Sequence, residues 1–186
     1  MFYWRKPSTA QIQTHLARQA TLPFSYPAVG QTNQTPPRGY VVDHNRVQLG
    51  AGQTAFEQAK KVVQRWQMFN LGWVQICWPN TPIITGATVG VLATVCGVWS
   101  LNACRIVYVI DEVDCYGFAY GTLPDHLESG EERFLVEWRQ SDDSVWYDIL
   151  AFSQPQHPLA KVGYPVVRQF QKRFARDSKR AMTQQC

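Results

Sequence analysis

The stretch from Ala103 to Leu123, ACRIVYVIDEVDCYGFAYGTL, decides the fold of this chain. Two runs rich in β-branched and aromatic residues, Ala103–Glu112 and Cys115–Leu123, meet at the turn-forming segment Asp111–Asp114. A connection this short favours antiparallel neighbours, because a parallel crossover needs about a dozen residues or more. We therefore predict a β-hairpin that forms part of an antiparallel sheet.

Similar β-rich runs lie on both sides of this hairpin. Turn signals at Pro79–Pro82, His126–Gly130 and Ser141–Ser144 separate them. These connections are also short, so the same antiparallel pairing is expected. The other predicted strands are Tyr40–Leu49, Trp73–Trp78, Thr88–Val98, Glu132–Gln140 and Val145–Phe152.

Two helices are predicted before most of the sheet. Ser8 and Gln11 have the spacing of a capping box, and a modest apolar stripe follows them. Thr54 and Glu57 have the same spacing at the start of a second helix. Apolar residues then recur at intervals of three and four, which indicates a buried helical face. That face consists of Ala55, Phe56, Ala59, Val62, Val63, Trp66 and Phe69.

A long helix is predicted near the C-terminal end, with basic residues on the faces outside its apolar stripe. Proline is tolerated only near a helix start, so the regular helix is expected to begin at Pro165. The stripe consists of Leu159, Val162, Val166, Val167, Phe170, Phe174, Ser178 and Ala181. The element order predicts an α+β fold: a curved antiparallel sheet packed around a long C-terminal helix, with two N-terminal helices.

The composition is that of an ordinary globular protein, with 45% hydrophobic and 17% charged residues among 186. The net charge of +4 is unevenly distributed, because basic residues dominate after Gln156 and acidic residues dominate Asp111–Asp148. The two parts can neutralise each other by packing together, so nucleic-acid binding is not expected. Contact between the basic helix and an anionic membrane surface stays open.

Several classes of protein are not expected from the motifs. The longest apolar stretch, Ala87–Val98, is too short to span a bilayer, and no signal peptide is recognisable, so we expect a cytoplasmic protein that is not integral to a membrane. The five cysteines have no zinc-like spacing and are expected to be buried free thiols. No metal site and no cofactor are expected, because HExxH, phosphate-loop and dinucleotide motifs do not occur.

The segment Gly117–Glu132, GFAYGTLPDHLESGEE, resembles the hallmark of the uncharacterised protein family 0548, a domain-of-unknown-function family. The resemblance continues in Phe134-Leu135-Val136 and in Ala151-Phe152-Ser153 with Pro155. It also extends to TLPFSYPAVG (Thr21–Gly30), to Arg38–Tyr40 and to LGAGQTAFEQA (Leu49–Ala59), so that it covers nearly the whole chain. This sequence departs from the family at Gln154, where Arg is usual, and at Asp125 and Leu127, where Gly and Pro are usual.

The resemblance also bears on architecture. The order of elements is similar to that of the helix-grip domains of the Bet v 1 and START-like type, which enclose apolar cavities. A single domain over 1–186 is expected, with an N-terminal arm and helix in 1–39 and a helix-grip-like core in 40–186. Fold alone does not fix function, so the candidate site must be argued from its residues.

The hallmark segment contains a dense polar cluster: Tyr120, Thr122, His126, Glu128, Glu131 and Glu132. Phe118, Tyr120 and Thr122 share one face of a strand, since side chains alternate across it. The histidine and the glutamates can supply acid–base groups, and His126, Glu131 and Glu132 are the catalytic candidates. The alternative is a loop whose carboxylates accept hydrogen bonds from backbone N–H groups.

The leading functional hypothesis is a binder of a small apolar or amphipathic molecule, held between the sheet and the C-terminal helix. The polar cluster would form the polar end of the pocket, and rings such as Phe118 and Trp138 would contact the ligand. An enzyme that uses the catalytic candidates in the same pocket is the second hypothesis. A protein-interaction module that uses the basic helix is the third, and the oligomeric state stays open.

Overall fold

The computed structural model describes residues 1–95, 97–156 and 163–186. Within these ranges eight strands form one antiparallel sheet that curls into a half-barrel. They are β1 (Phe2–Tyr3), β2 (Val41–Ala51), β3 (Val74–Ile76), β4 (Thr88–Val95), β5 (Val98–Asp111), β6 (Cys115–Thr122), β7 (Glu128–Arg139) and β8 (Ser144–Pro155). The order across the sheet is β2-β8-β7-β6-β5-β4-β3, and β1 pairs with β5.

The predicted hairpin is confirmed at the centre of this sheet. Strands β5 and β6 pair in antiparallel register with Asp111 opposite Tyr116. The Glu112 N–H donates to the Cys115 carbonyl at 2.8 Å and closes the turn. The predicted α+β class is therefore confirmed, together with the curved sheet and its terminal helix.

The prediction of a single strand over Thr88–Val98 is wrong. Strand β4 ends at Val95, and β5 begins at Val98 as its antiparallel partner. Gly97 has a positive φ of 78°, which lets the chain reverse here without the steric cost that a Cβ would add. The apolar residues on both sides hid this turn in the sequence, and Cys96 lies outside the described residues.

A second boundary also differs from the sequence prediction. The segment His126–Gly130 was expected to be a turn, but β7 already begins at Glu128. Glu128 pairs with Pro155 and Gly130 with Ser153, so the acidic part of the hallmark segment is sheet.

The N-terminal helix α1 (Thr9–Gln19) has the predicted capping box. Ser8 accepts a hydrogen bond from the Gln11 N–H at 3.3 Å, and the Gln11 side chain accepts one from the Ser8 N–H at 2.8 Å. These two bonds satisfy backbone donors that a helix start leaves unpaired.

The capping box predicted at Thr54 and Glu57 is wrong. Helix α2 (Gly52–Gln64) begins earlier, and its N-cap residue Ala51 makes no side-chain capping bond. Strand β2 runs directly into this helix, and the Asp143 carbonyl accepts the Gly52 N–H at 2.8 Å. The predicted buried face is present, although Trp66 and Phe69 lie beyond the helix end at a short 3-10 turn.

The long C-terminal helix α3 (Tyr164–Gln185) has Pro165 in its first turn, as predicted. Its buried residues are Ala175, Ser178 and Met182, whereas Val166 is 58% exposed, so the predicted stripe is wrong at that position. Leu159 and Val162 of that stripe lie outside the described residues. Within the described parts of the chain, every helix is too short or too polar to cross a membrane.

An aromatic core joins the sheet to α3 and to the 3-10 turn that follows α2. Phe118 packs against Trp66 with ring centroids 4.9 Å apart and against Phe134 at 5.4 Å. Phe69 connects this core to α3, since its ring lies 5.4 Å from that of Phe174. Burial of such rings is the main stabilising contribution that holds the helix against the sheet.

The cysteines partly follow the sequence prediction. Cys77, Cys104, Cys115 and Cys186 are free thiols. Cys104 is buried, Cys77 and Cys115 are half-buried, and Cys186 is exposed, so of these four the expectation of buried thiols is confirmed for Cys104 alone.

Candidate functional site

A cavity of about 600 Å³ lies between the sheet and α3. Part of its wall is aromatic and comes from Phe69, Trp73, Phe170 and Phe174. The opposing part is polar and comes largely from the hallmark segment. Six predicted ligand-contacting residues line the cavity: Tyr120, Thr122, His126, Glu128, Glu131 and Glu132.

The other two predicted ligand contacts lie elsewhere among the described residues. Phe118 is fully buried in the aromatic core rather than on the cavity wall. Trp138 stacks on Phe56 at a centroid distance of 6.2 Å, and its indole N–H donates to Asp143 at 2.8 Å. Trp138 therefore packs α2 on the sheet, and Phe118 packs against Trp66, which follows that helix.

One row of side chains crosses four neighbouring strands at the polar end. Tyr120 on β6 pairs with Glu132 on β7, which pairs with Ala151 on β8, which pairs with Asp43 on β2. The Tyr120 hydroxyl donates to Glu132 Oε2 at 2.8 Å. The small Ala151 leaves open space between the two carboxylates, and all four residues line the cavity.

One carboxyl group of this row, that of Glu132, has a pKa well above its ordinary value. Burial raises the pKa of Glu132 to about 7, while the Tyr120 hydrogen bond lowers it and the Asp43 charge raises it by smaller amounts. A carboxyl group with this pKa is present in both protonation states near neutral pH. Such a group can donate or accept a proton, which is the requirement for general acid–base chemistry.

The raised pKa of Glu132 makes stability depend on pH. Folded Glu132 binds its proton more tightly than an unfolded glutamate with a pKa of 4.5. Its contribution to the free energy of unfolding is therefore full below pH 4.5 and is lost as the pH rises through about 7. We expect Glu132→Gln to remove roughly 3 kcal/mol of pH dependence across this window. Urea unfolding at a series of pH values measures it. If the free energy of unfolding changed with pH in the same way in the wild type and the variant, the assignment would be contradicted. The exposed Glu57→Gln serves as the control.

Glu128 lies on the same wall and is only 8% exposed. Among the residues that the structure describes, no donor makes a hydrogen bond to either of its carboxylate oxygens. Burial raises the pKa of Glu128, against opposing contributions from Ser153, Arg168 and Gln171. A buried polar group without a partner costs about 1–3 kcal/mol, and more when it is charged.

His126 is held beside Glu128 by the backbone. Its Nδ1 lies 3.0 Å from both the backbone N–H and the carbonyl oxygen of Glu128, so it accepts from the first or donates to the second according to the tautomer. Burial lowers the pKa of His126 to about 4, so the ring is neutral at pH 7. With Leu127, His126 also lines a second cavity of about 370 Å³ that Met1, Phe2 and Asp125 border. These two residues therefore separate the two cavities.

Glu131 has a different environment from its neighbours. Its Oε2 accepts hydrogen bonds from the Tyr26 hydroxyl and the Gly30 N–H, both at 2.7 Å. Its Oε1 accepts the Thr32 N–H at 2.9 Å and the Thr32 hydroxyl. Four donors from the segment 26–32 thus make hydrogen bonds to the Glu131 carboxylate, and this side chain is only 2% exposed. This arrangement favours an anchoring role for Glu131, the alternative that the sequence had left open.

Sequence reasoning missed two groups of residues at this site. Tyr26, Gly30 and Thr32 gave no functional signal, because their partner Glu131 lies about a hundred residues away in sequence. Asp43 and Gln171 were missed for a similar reason, since only the curl of the sheet and the path of α3 bring them to the cavity.

The basic side chains of α3 largely contact other parts of the chain. Arg168 pairs with Asp43, with Nη2 at 2.7 Å from Oδ1. Arg173 lies over the Trp73 ring at 4.4 Å, and Lys179 donates to Asn45 at 3.2 Å. An interaction module built on this helix stays a prediction.

A curved antiparallel sheet that holds a terminal helix, with a cavity between them, defines a helix-grip protein. The chain belongs to the UPF0548 family, since the model of a domain of unknown function, DUF1990, matches residues 25–181. It is similar to a UPF0548 protein of Dictyostelium discoideum, at 37% identity over 96% of this chain and 92% of the relative. A UPF0548 protein of Deinococcus radiodurans is 38% identical over 95% of this chain and 94% of its own length.

The fold is also similar to that of a solved protein, the di-domain ARO/CYC StfQ from the steffimycin biosynthetic pathway. The TM-score is 0.53 at 8% sequence identity, and the match covers 78% of this chain and 50% of that chain. At this identity the likeness shows the fold alone.

Proposed function

We propose that this protein binds a small apolar or amphipathic molecule in the cavity between the sheet and α3. The observation that carries the proposal is the cavity of about 600 Å³, with an aromatic wall facing a compact polar end. Ligand pockets commonly have volumes of about 300–1,000 Å³ and a mostly apolar lining with few polar groups. The apolar part of the ligand packs between Phe69, Trp73 and Phe170, and its polar part faces Glu132 and Glu128.

A titration with the neutral apolar dye N-phenyl-1-naphthylamine tests this proposal. Ala151→Trp places an indole between Glu132 and Asp43 and is expected to weaken dye binding at least about tenfold, which is about 1.4 kcal/mol. Loss of only about 60 Å² of apolar contact is enough for this effect. Dye fluorescence measures the affinity of each protein.

The matched control is Ala10→Trp, because Ala10 is exposed on α1. It is expected to leave dye affinity unchanged. Ala93→Phe fills another part of the cavity wall and repeats the test should Ala151→Trp unfold the sheet. Equal dye affinity of the wild type, Ala151→Trp and Ala93→Phe would contradict the proposal.

An enzyme in the same pocket is the second candidate. The observation that favours it is Glu132, whose pKa of about 7 and Tyr120 partner suit proton transfer inside a cavity. Incubation with a metabolite extract of the host tests it: the wild type should deplete one compound with time, and Glu132→Gln should bind that compound without depleting it. Equal depletion by both proteins would exclude Glu132 as the acid or base.

A further inference from the structure

The Glu128 carboxylate is the least satisfied polar group on the cavity wall. It is 8% exposed, and neither of its oxygens has a hydrogen-bond partner among the described residues. Leaving a buried carboxylate in this state is unfavourable by about 1–3 kcal/mol or more. A group supplied by a ligand would remove that cost, because Glu128 lines the space in which the ligand is proposed to lie.

Two nearby side chains, Arg168 and Gln171, donate to other partners. Arg168 makes a bidentate pair with Asp43, and its Nη1 also donates to Gln171 Oε1 at 2.6 Å. Gln171 Nε2 donates to Ser153 Oγ at 3.1 Å. His126 Nδ1 lies 3.0 Å from the backbone N–H and the carbonyl oxygen of Glu128, so in either tautomer it bonds to the Glu128 backbone rather than to its carboxylate. Among the described residues, the Ser153 hydroxyl hydrogen and the second hydrogen of the Gln171 amide have no other partner, but neither makes a hydrogen bond to Glu128 in this arrangement.

The charges around this end of the cavity are predominantly acidic. Glu128 and Glu132 line it, while the charges of Asp43 and Arg168 neutralise each other. Lys172 also borders the cavity but is exposed to solvent, where its charge is screened. An anionic ligand group would meet repulsion and desolvation here, whereas a cation would meet attraction.

We infer that the polar end of the cavity takes a protonated amino group of an amphipathic ligand, with Glu128 as its main acceptor. An ammonium group has three donors and no acceptor, so it can satisfy the Glu128 carboxylate without leaving an acceptor of its own unpaired. The apolar body of the ligand then extends toward Phe170 and Phe174. This inference rests on the proposed binding function and specifies the ligand class of that site.

A matched ligand series tests the inference: 6-phenylhexylamine, 6-phenylhexanol and 6-phenylhexanoate, each titrated by calorimetry at pH 8. The three probes share one apolar body and differ only in the polar end. A hydrogen bond to a charged group predicts that the amine binds about tenfold or more tightly than the alcohol, with the acid weakest. Glu128→Gln should remove most of the amine's advantage and change alcohol affinity by less than about twofold, by the same reasoning.

Two further measurements separate Glu128 from a merely structural residue. Glu57→Gln, on the exposed face of α2, should bind all three probes like the wild type. Thermal unfolding should show Glu128→Gln to be as stable as the wild type or more stable, because the change removes an unpaired buried charge. A less stable Glu128→Gln would reveal an internal partner and overturn the inference.

The failures of the two proposals are distinguishable. If the alcohol or the acid binds as tightly as the amine, the amine assignment is wrong and the binding function stands. If N-phenyl-1-naphthylamine binds in the cavity but the amine does not, the assignment is again wrong. If neither the dye nor any phenylhexyl probe binds, the binding function fails and the inference fails with it.

Discussion

Replacing Glu131 by Gln is expected to lower the free energy of unfolding by about 3 kcal/mol, although the side chain keeps its size. The carboxylate accepts four hydrogen bonds from Tyr26, Gly30 and Thr32 and is 2% exposed. The amide would turn an NH₂ group toward two of these donors, leaving buried polar atoms unpaired. Urea unfolding measures the loss, and amide hydrogen exchange should show faster opening in the segment 26–32.

The control lies on the same strand. Glu137 is half-exposed and pairs with Arg46 and Arg139, so Glu137→Gln is expected to cost no more than about 1 kcal/mol. Equal losses in the two variants would contradict the anchoring role of Glu131. A stable Glu131→Gln protein that has lost an activity would instead restore Glu131 as a catalytic candidate.

The second large effect is expected at Gly130, where β7 and β8 approach closely. A Cβ at this position would lie 2.0 Å from the Phe152 carbonyl oxygen and 2.8 Å from the Ser153 Cα. Both obstacles are backbone atoms and cannot rotate away, so Gly130→Ala must push the two strands apart. We expect a loss of about 3 kcal/mol, the upper end of the usual cost of overpacking, together with weaker ligand binding.

Gly72→Ala separates this clash from simple backbone strain. Gly72 has a φ of 75°, but nothing lies within 4 Å of the position that a Cβ would take. Its replacement is expected to cost about 1–2 kcal/mol, the usual strain of an L-residue in this conformation. Unfolding free energies of the two variants give the comparison, and a smaller loss for Gly130→Ala than for Gly72→Ala would show that the strands relax easily.

The hallmark segment shows what the sequence could predict and what it could not. Alternation along a strand placed Tyr120 and Thr122 on one face, and both line the cavity. The same alternation separates Glu131 from Glu132, but local pattern does not reveal which face meets the segment 26–32. That contact depends on the distant Tyr26 and Thr32, and no short-range signal carries it.

Boundaries were hardest to predict where the chain stays apolar through a turn. The reversal between Val95 and Val98 has no polar turn residues, and only Gly97 marked it. Phe118 and Trp138 were predicted as ligand contacts because they are aromatic and face inward. An inward ring fills either the core or the cavity wall, and only its position along the strand decides which.

The central claim is that a small molecule enters the space between the sheet and α3, and methyl NMR with N-phenyl-1-naphthylamine tests it most directly. The methyl signals of Ala93, Ala151 and Ala175, which line the cavity, are expected to shift on addition of the dye. Those of Ala59 and Leu101, which are fully buried in solid core, should stay in place. Dye binding that shifts only exposed methyl groups, with Ala151 and Ala175 unmoved, would contradict the claim.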